Sequence, residues 1–220
     1  MLKEDNRMNY QRLYSYRFKD IDQSSRVNVW QEIGPFIYNF LGKPQRVLDP
    51  AAGRCEFVNS LPAVECWAVD EVQYPEMNAD KTKIVISDVM EADLPESYFD
   101  GIFVSNFLEH LPSQTAISAF LEKMHGVLRP GGKIAIMGPN YRYCSKHYWD
   151  CADHIIALTH LAVQEHLYTA GFTPSKTFPQ FLPFSFRGIL PPSRTLTRLY
   201  LRQPLLWRLL GKQFLVLGER

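Results

Sequence analysis

The chain has 220 residues, 46% of them hydrophobic and 21% charged, with 24 basic and 23 acidic side chains and a net charge of +1. That length suits a single domain over 1–220, the composition excludes a disordered or fibrous chain, and the balanced charge excludes a global field that would draw nucleic acid. No apolar run reaches the roughly 18 residues that a spanning helix requires. With no signal-peptide pattern and no Cys-x-x-Cys pair among Cys55, Cys66, Cys144 and Cys151, the sequence reads as a cytoplasmic protein with reduced thiols, and no metal is expected.

In chain order, Val27, Trp30, Ile33, Phe36, Ile37 and Phe40 recur at steps of three and four, which predicts a helix with one buried face, ended by Gly42 and Pro44. Residues 1–43 therefore read as a helical cap, and 44–140 as the core. From Arg46 the pattern changes to short apolar runs between turn residues, as a parallel sheet with crossover helices would give. Strands are predicted at Arg46–Asp49, Glu65–Val69, Lys83–Ser87, Asp100–Ser105 and Lys133–Met137. A helix over Ser113–Leu128 precedes a tight turn at Arg129, Pro130, Gly131 and Gly132. A further helix over Leu161–Ala170 stops at Gly171, and Gln213–Leu217 reads as a terminal strand.

The stretch Asp49, Pro50, Ala51, Ala52, Gly53, Arg54, Cys55 closes the first strand with a carboxylate and a turn of small residues, which lets backbone approach a ligand closely. Asp70 ends the second strand 21 residues later, the spacing of a carboxylate that accepts hydrogen bonds from ribose hydroxyls. These residues, with Asp88 and Val89, Leu94 and Pro95, Asn106 to His110, and the run from Arg129 to Gly132, resemble in their order the class I S-adenosylmethionine-dependent methyltransferases (type 11-like). The resemblance implies an α/β, Rossmann-like, seven-stranded and mostly parallel doubly wound sheet, with S-adenosyl-L-methionine as cofactor. Carried onto this chain, it assigns Asp49, Ala51 and Gly53 to the methionine pocket, Asp70 to the ribose, Asp88 and Val89 to the adenine, and Asn106 with Phe107 to the wall near the sulfonium. Ala51 and Cys55 stand where the family has glycine; the cysteine must point away from the cofactor.

Methyl transfer to a hydroxyl needs a base, and histidine is the natural one near neutral pH. His110 lies just past the fourth strand. His154 lies in a stretch that, if helical, would set Asp150 one turn away as its orienting partner. Glu109 and His110 also resemble part of a metal-holding cluster in ubiquinone-pathway O-methyltransferases, but Asn106 takes the place of a third acidic ligand there.

Tyr141, Arg142 and Tyr143 are candidates for binding a sugar or phosphate by stacking and charge-assisted hydrogen bonds. The segment from Pro139 to Gly171 resembles bacterial methyltransferases linked to cell-surface glycan and glycolipid synthesis. The acceptor implied is a small molecule or a glycan, including lipid-linked ones. Residues 178–212 read as an insertion: Phe178, Phe181, Phe184 and Phe186 in a proline-rich loop, then a helix candidate from Arg194 to Leu210. Its arginines beside leucines and Trp207 suit peripheral contact with an anionic membrane, although Pro204 interrupts it. The rival reading is a degenerate methyltransferase fold serving as a binding protein in a membrane-associated assembly.

Overall fold

The computed structural model describes residues 9–17, 19, 22–78, 80–184 and 193–220; Phe186, Pro191 and Pro192 of the proline-rich loop lie outside them. The chain forms α1 (Tyr10–Arg17), α2 (Gln23–Phe40), β1 (Arg46–Asp49), α3 (Glu56–Asn59), β2 (Glu65–Asp70), β3 (Thr82–Ile86), β4 (Phe99–Ser105) and α4 (Gln114–Val127). Then follow β5 (Leu128–Pro139), α5 (Tyr141–Tyr148), α6 (His160–Thr169), β6 (Thr173–Phe178), α7 (Arg194–Leu201), α8 (Pro204–Leu210) and β7 (Gln213–Glu219). The strands join in one sheet, ordered β3-β2-β1-β4-β5-β7-β6. The first five pair in parallel, whereas β7 runs antiparallel between β5 and β6. The order reverses between β1 and β4, so a crevice opens at their carboxyl ends.

Both faces of the sheet are covered, as near-continuous apolar strands require. Phe99, Ile102, Val104 and Ile134 pack on one face against Ile117, Phe120 and Met124 of α4 and Val163 and Leu167 of α6. On the other, Val47, Ala68, Phe103 and Leu215 meet Ile33 and Ile37 of α2, Phe57 of α3, and Leu201 and Trp207. Helix α2 begins where Asp22 accepts bonds from the Ser24 and Ser25 amides, and it runs on through Pro35 to Phe40. Gly34 lets α2 press onto α3, since a Cβ there would fall 1.7 Å from the Ser60 hydroxyl oxygen.

Three expectations need correction. The run Arg129 to Gly132 is not a free turn before a strand: β5 already starts at Leu128 and pairs there with Phe99, and a register shift absorbs the irregularity. Gly131, at φ +73°, supplies the left-handed backbone inside it. The helix from Arg194 to Leu210 is two helices, because Pro204 has no amide to continue the ladder and instead starts α8. Strand β6 was not anticipated; Pro174 and its polar residues hide an edge strand that pairs on one side only.

Candidate active site

The small-residue turn lies at the carboxyl end of β1. Asp49 is buried there with Oδ1 unpartnered, and burial, with no cation beside it, pushes its carboxyl up to about 8. Gly53 adopts φ +50°, and a Cβ built on it would meet nothing within 4 Å: the turn faces open space. Ala51 keeps a negative φ, so its methyl group carries no backbone penalty. Cys55 does occupy the left-handed region, at φ +60°, but its side chain is fully buried in the core beneath the turn, as expected of a thiol kept off the ligand side. Asp70 ends β2 and holds the turn in place: Oδ2 accepts the Gly53 amide at 2.8 Å and Oδ1 the Val72 amide at 2.9 Å. Burial raises its carboxyl while these two donors lower it.

Further along the crevice, Asp88 Oδ1 accepts the Met90 amide at 2.8 Å, which shapes the turn after β3, and Val89 is buried in the core beside it. After β4, Asn106 takes φ +49°, donates its amide to the Met137 carbonyl at 2.8 Å and leaves its side chain exposed. The Phe107 ring rests on Phe120, with centroids 5.0 Å apart. The unpartnered Asp49 oxygen, the open space over Gly53 and the Asp70 carboxylate fit a cofactor with a cationic amine and a ribose. A separate cavity of about 300 Å³, lined by Leu41, Pro44, Asp100, Arg129 and Lys133, opens at the opposite, amino-terminal edge of the sheet and has no part in this crevice.

Beyond Asn106 a single 3-10 turn, Leu108–His110, brings the second half of the site together. The Glu109 carbonyl accepts the amides of Ile155 and Ile156 at 2.8 and 3.2 Å, which ties the 151–156 loop to the β4 exit. In consequence the rings of His110 and His154 sit 5.2 Å apart. His110 Nδ1 lies 2.8 Å from the Asp153 carbonyl, so this nitrogen carries the proton and Nε2 is left free, 3.8 Å from Glu109 Oε1. Glu109 is 2% exposed, and burial raises its carboxyl. Burial also holds His154 down to about 4, with Nδ1 unpartnered, and its ring packs on Tyr148 at 4.6 Å. One donor atom from each of Glu109, His110 and His154 lies within 4.8 Å of the others, a set able to accept a divalent transition ion.

Helix α1 closes this half from above. Arg17 forks onto the fully buried Asp153 carboxylate, with one contact at 3.0 Å, and that pairing holds Asp153 below the usual carboxylate range. Tyr14 borders the same carboxylate, and burial raises its phenol. Neither Arg17 nor Asp153 was anticipated: they are 136 residues apart and only the tertiary fold joins them. The expected Asp150–His154 pair does not form. Helix α5 ends at Tyr148, and Asp150, in the turn that follows, faces the exposed His147 at 3.1 Å instead. Tyr141 packs edge-on against Tyr148 at 5.2 Å, Tyr143 lies over His160 at 6.5 Å, and Arg142 is exposed. Asn140, also unanticipated, is fully buried and fastens α5, His160 and the Pro179 carbonyl at the end of β5.

The strand order and the turn at the end of β1 belong to a fold that S-adenosylmethionine-dependent methyltransferases share. Residues 48–136 match the family model described as a methyltransferase domain. No protein of curated function matches the chain by sequence. Among solved structures it is similar to an S-adenosylmethionine-dependent methyltransferase from Archaeoglobus fulgidus, at 21% identity over 96% of this chain and 100% of that one, with a TM-score of 0.69. It is also similar to the 1,6-didemethyltoxoflavin-N1-methyltransferase of Burkholderia thailandensis, solved with 1,6-didemethyltoxoflavin and S-adenosylhomocysteine. There the identity is 21% over 96% and 84% of the chains, with a TM-score of 0.61. The [4+2]-cyclase SpnF shares the fold too, at 14% identity over 86% and 80% of the chains, with a TM-score of 0.60. The fold alone therefore does not fix the reaction, and the acceptor has to be argued from the site.

Proposed function

We propose that the protein methylates a hydroxyl group on a glycan or lipid-linked glycan, with His110 as the base. The observation that carries this reading is the fixed imidazole of His110. Its Nδ1 is spent on the Asp153 carbonyl, so Nε2 offers a lone pair beside the β4 exit, the side from which an acceptor would approach. A neutral hydroxyl is a poor nucleophile and gains from such a base, whereas an amine already carries a free lone pair. S-adenosylmethionine supplies a methyl group on a sulfonium, which leaves as a neutral thioether. The chain's own residues manage the proton: the acceptor O–H bond breaks toward His110 Nε2 as the O–C bond forms. The resulting imidazolium is stabilised by the carboxylates of Glu109 at 3.8 Å and Asp153 at 3.6 Å. His154, held near 4, stays neutral throughout and serves as a hydrogen-bonding neighbour, not a proton store.

Arg142, exposed at the start of α5, and the half-exposed Tyr143 suit a sugar or its phosphate at the rim. Contact of 194–210 with a membrane would bring such an acceptor to the site. The test is to incubate the protein with methyl-labelled S-adenosylmethionine and a lipid-linked oligosaccharide fraction, then locate the label. Label in an alkali-stable ether, lost in His110→Ala, is expected; label on nitrogen or carbon alone would overturn the hydroxyl reading.

A further inference from the structure

Helices α7 and α8 are firmly seated by one side of each. Trp207 is buried among Phe36, Phe178 and Phe181 at ring distances of 5.1 to 5.7 Å, and its indole donates to the Tyr200 carbonyl at 2.9 Å. Leu201 is buried as well, and Arg194 and Arg198 both reach Glu32 of α2, at 2.7 and 2.6 Å. The other side is apolar and uncovered. Leu196 and Leu199 on α7, and Leu205, Leu206, Leu209 and Leu210 on α8, are all exposed, Leu205 to 71% and Leu209 to 76%. Six exposed leucines on two anchored, adjacent helices are more apolar surface than scattered single side chains explain, and mark an interaction surface.

From Ser193 to Lys212 the chain has five cations, Arg194, Arg198, Arg202, Arg208 and Lys212, and no carboxylate. Glu32 offsets one of them. The pair is fastened next to the site: the Lys212 carbonyl accepts the Asn140 amide at 2.8 Å, and Lys212 donates its own amide to Leu182 at 2.7 Å. We propose that the α7–α8 surface docks on an anionic lipid leaflet, the leucines entering the headgroup region and the exposed Arg202 and Arg208 meeting lipid phosphates. Charge chooses this occupant over a second copy of the chain. A two-fold pairing would set the same cations against one another with only Glu32 to offset them, whereas an anionic leaflet complements them. Among the described residues no helix is long and apolar enough to cross a membrane, so the contact is at the surface.

This inference extends the lipid-linked acceptor proposed above, and its experiment uses neither acceptor nor cofactor, so the two fail separately. The full chain is sedimented with vesicles of phosphatidylcholine alone and with about 30 mol% phosphatidylglycerol added, at low and high salt. At least a tenfold preference for the anionic vesicles is expected, falling as salt rises. Leu205→Asp with Leu209→Asp should abolish pelleting while the melting temperature holds, since both side chains already face solvent. Arg202→Gln with Arg208→Gln should reduce the preference for anionic lipid. Equal recovery in the supernatant with both vesicles would overturn the proposal, as would undiminished pelleting of the leucine variant. A dimer in sedimentation velocity that the leucine variant dissolves would assign the face to a second copy.

Discussion

Asp49 offers a way to see the cofactor arrive without any acceptor. Its carboxyl, raised to about 8, is mostly protonated in the unliganded protein at pH 7, and the α-amino group of S-adenosylmethionine placed beside it would favour the ionised form. Binding should then release close to one proton. From pH 6 to 7.5 the ionised fraction of a group at about 8 rises about 24-fold, while a ligand amine with a pKa of about 7.8 loses about a third of its charge. The association constant for S-adenosylhomocysteine should therefore increase roughly 15-fold over that interval. Titration calorimetry in two buffers of different ionisation enthalpy measures both the constant and the proton count. Stability of the unliganded protein should move the other way. A raised carboxyl stabilises the fold fully below its unfolded value near 3.8, and that contribution is lost as pH climbs through about 8. Asp49→Asn should flatten both profiles. A dissociation constant indifferent to pH between 6 and 7.5, with no proton released, would refute the placement of Asp49 beside the amine.

Replacing Asp70 by alanine removes the acceptor of the Gly53 and Val72 amides as well as the proposed ribose contact, and should weaken S-adenosylhomocysteine binding by about 1 to 3 kcal/mol in calorimetry; an unchanged constant would take Asp70 out of the site. His110→Ala should lower turnover by about 10²- to 10⁴-fold with cofactor affinity intact, and His154→Ala should lower it less, because an imidazole held near 4 is too weak a base to take the acceptor's proton; single-turnover rates would rank the two. Gly34→Ala forces a methyl group into Ser60 and should cost about 1 to 3 kcal/mol in urea unfolding. Much of that loss should return in the double variant with Ser60→Gly, and purely additive losses would show that α2 and α3 are not in contact there.

The turn at the end of β1 and the place of Asp70 were legible because they are local. Asp49, the small-residue turn and Asp70 belong to two neighbouring strands whose ends come together wherever a parallel sheet forms, and their spacing alone places them. The acceptor half was legible only in fragments. His110 could be named from its position after β4, but nothing in the sequence marked Asp153 as its neighbour: counting along a supposed helix paired Asp150 with His154, and the chain instead turns after Tyr148 so that Asp153 faces inward. Arg17 gave no signal at all, since α1 is polar in sequence and its one decisive contact is made across the whole fold. Strand β6 escaped for another reason: an edge strand with a proline lacks both the apolar run and the alternation that periodicity detects.

The fork between Arg17 and Asp153 gives the molecule an unusual division of labour. The residues proposed to hold the cofactor, Asp49 to Phe107, are drawn from one unbroken stretch of chain, while the carboxylate beside His110 is held by a short helix from the far end of the sequence. Exchanging that helix for another would leave the β1 and β2 strand ends intact and alter only the surroundings of His110 and Asp153. If the proposed roles hold, acceptor choice is detachable from cofactor choice, and grafting foreign versions of residues 10–17 is the economical test of it.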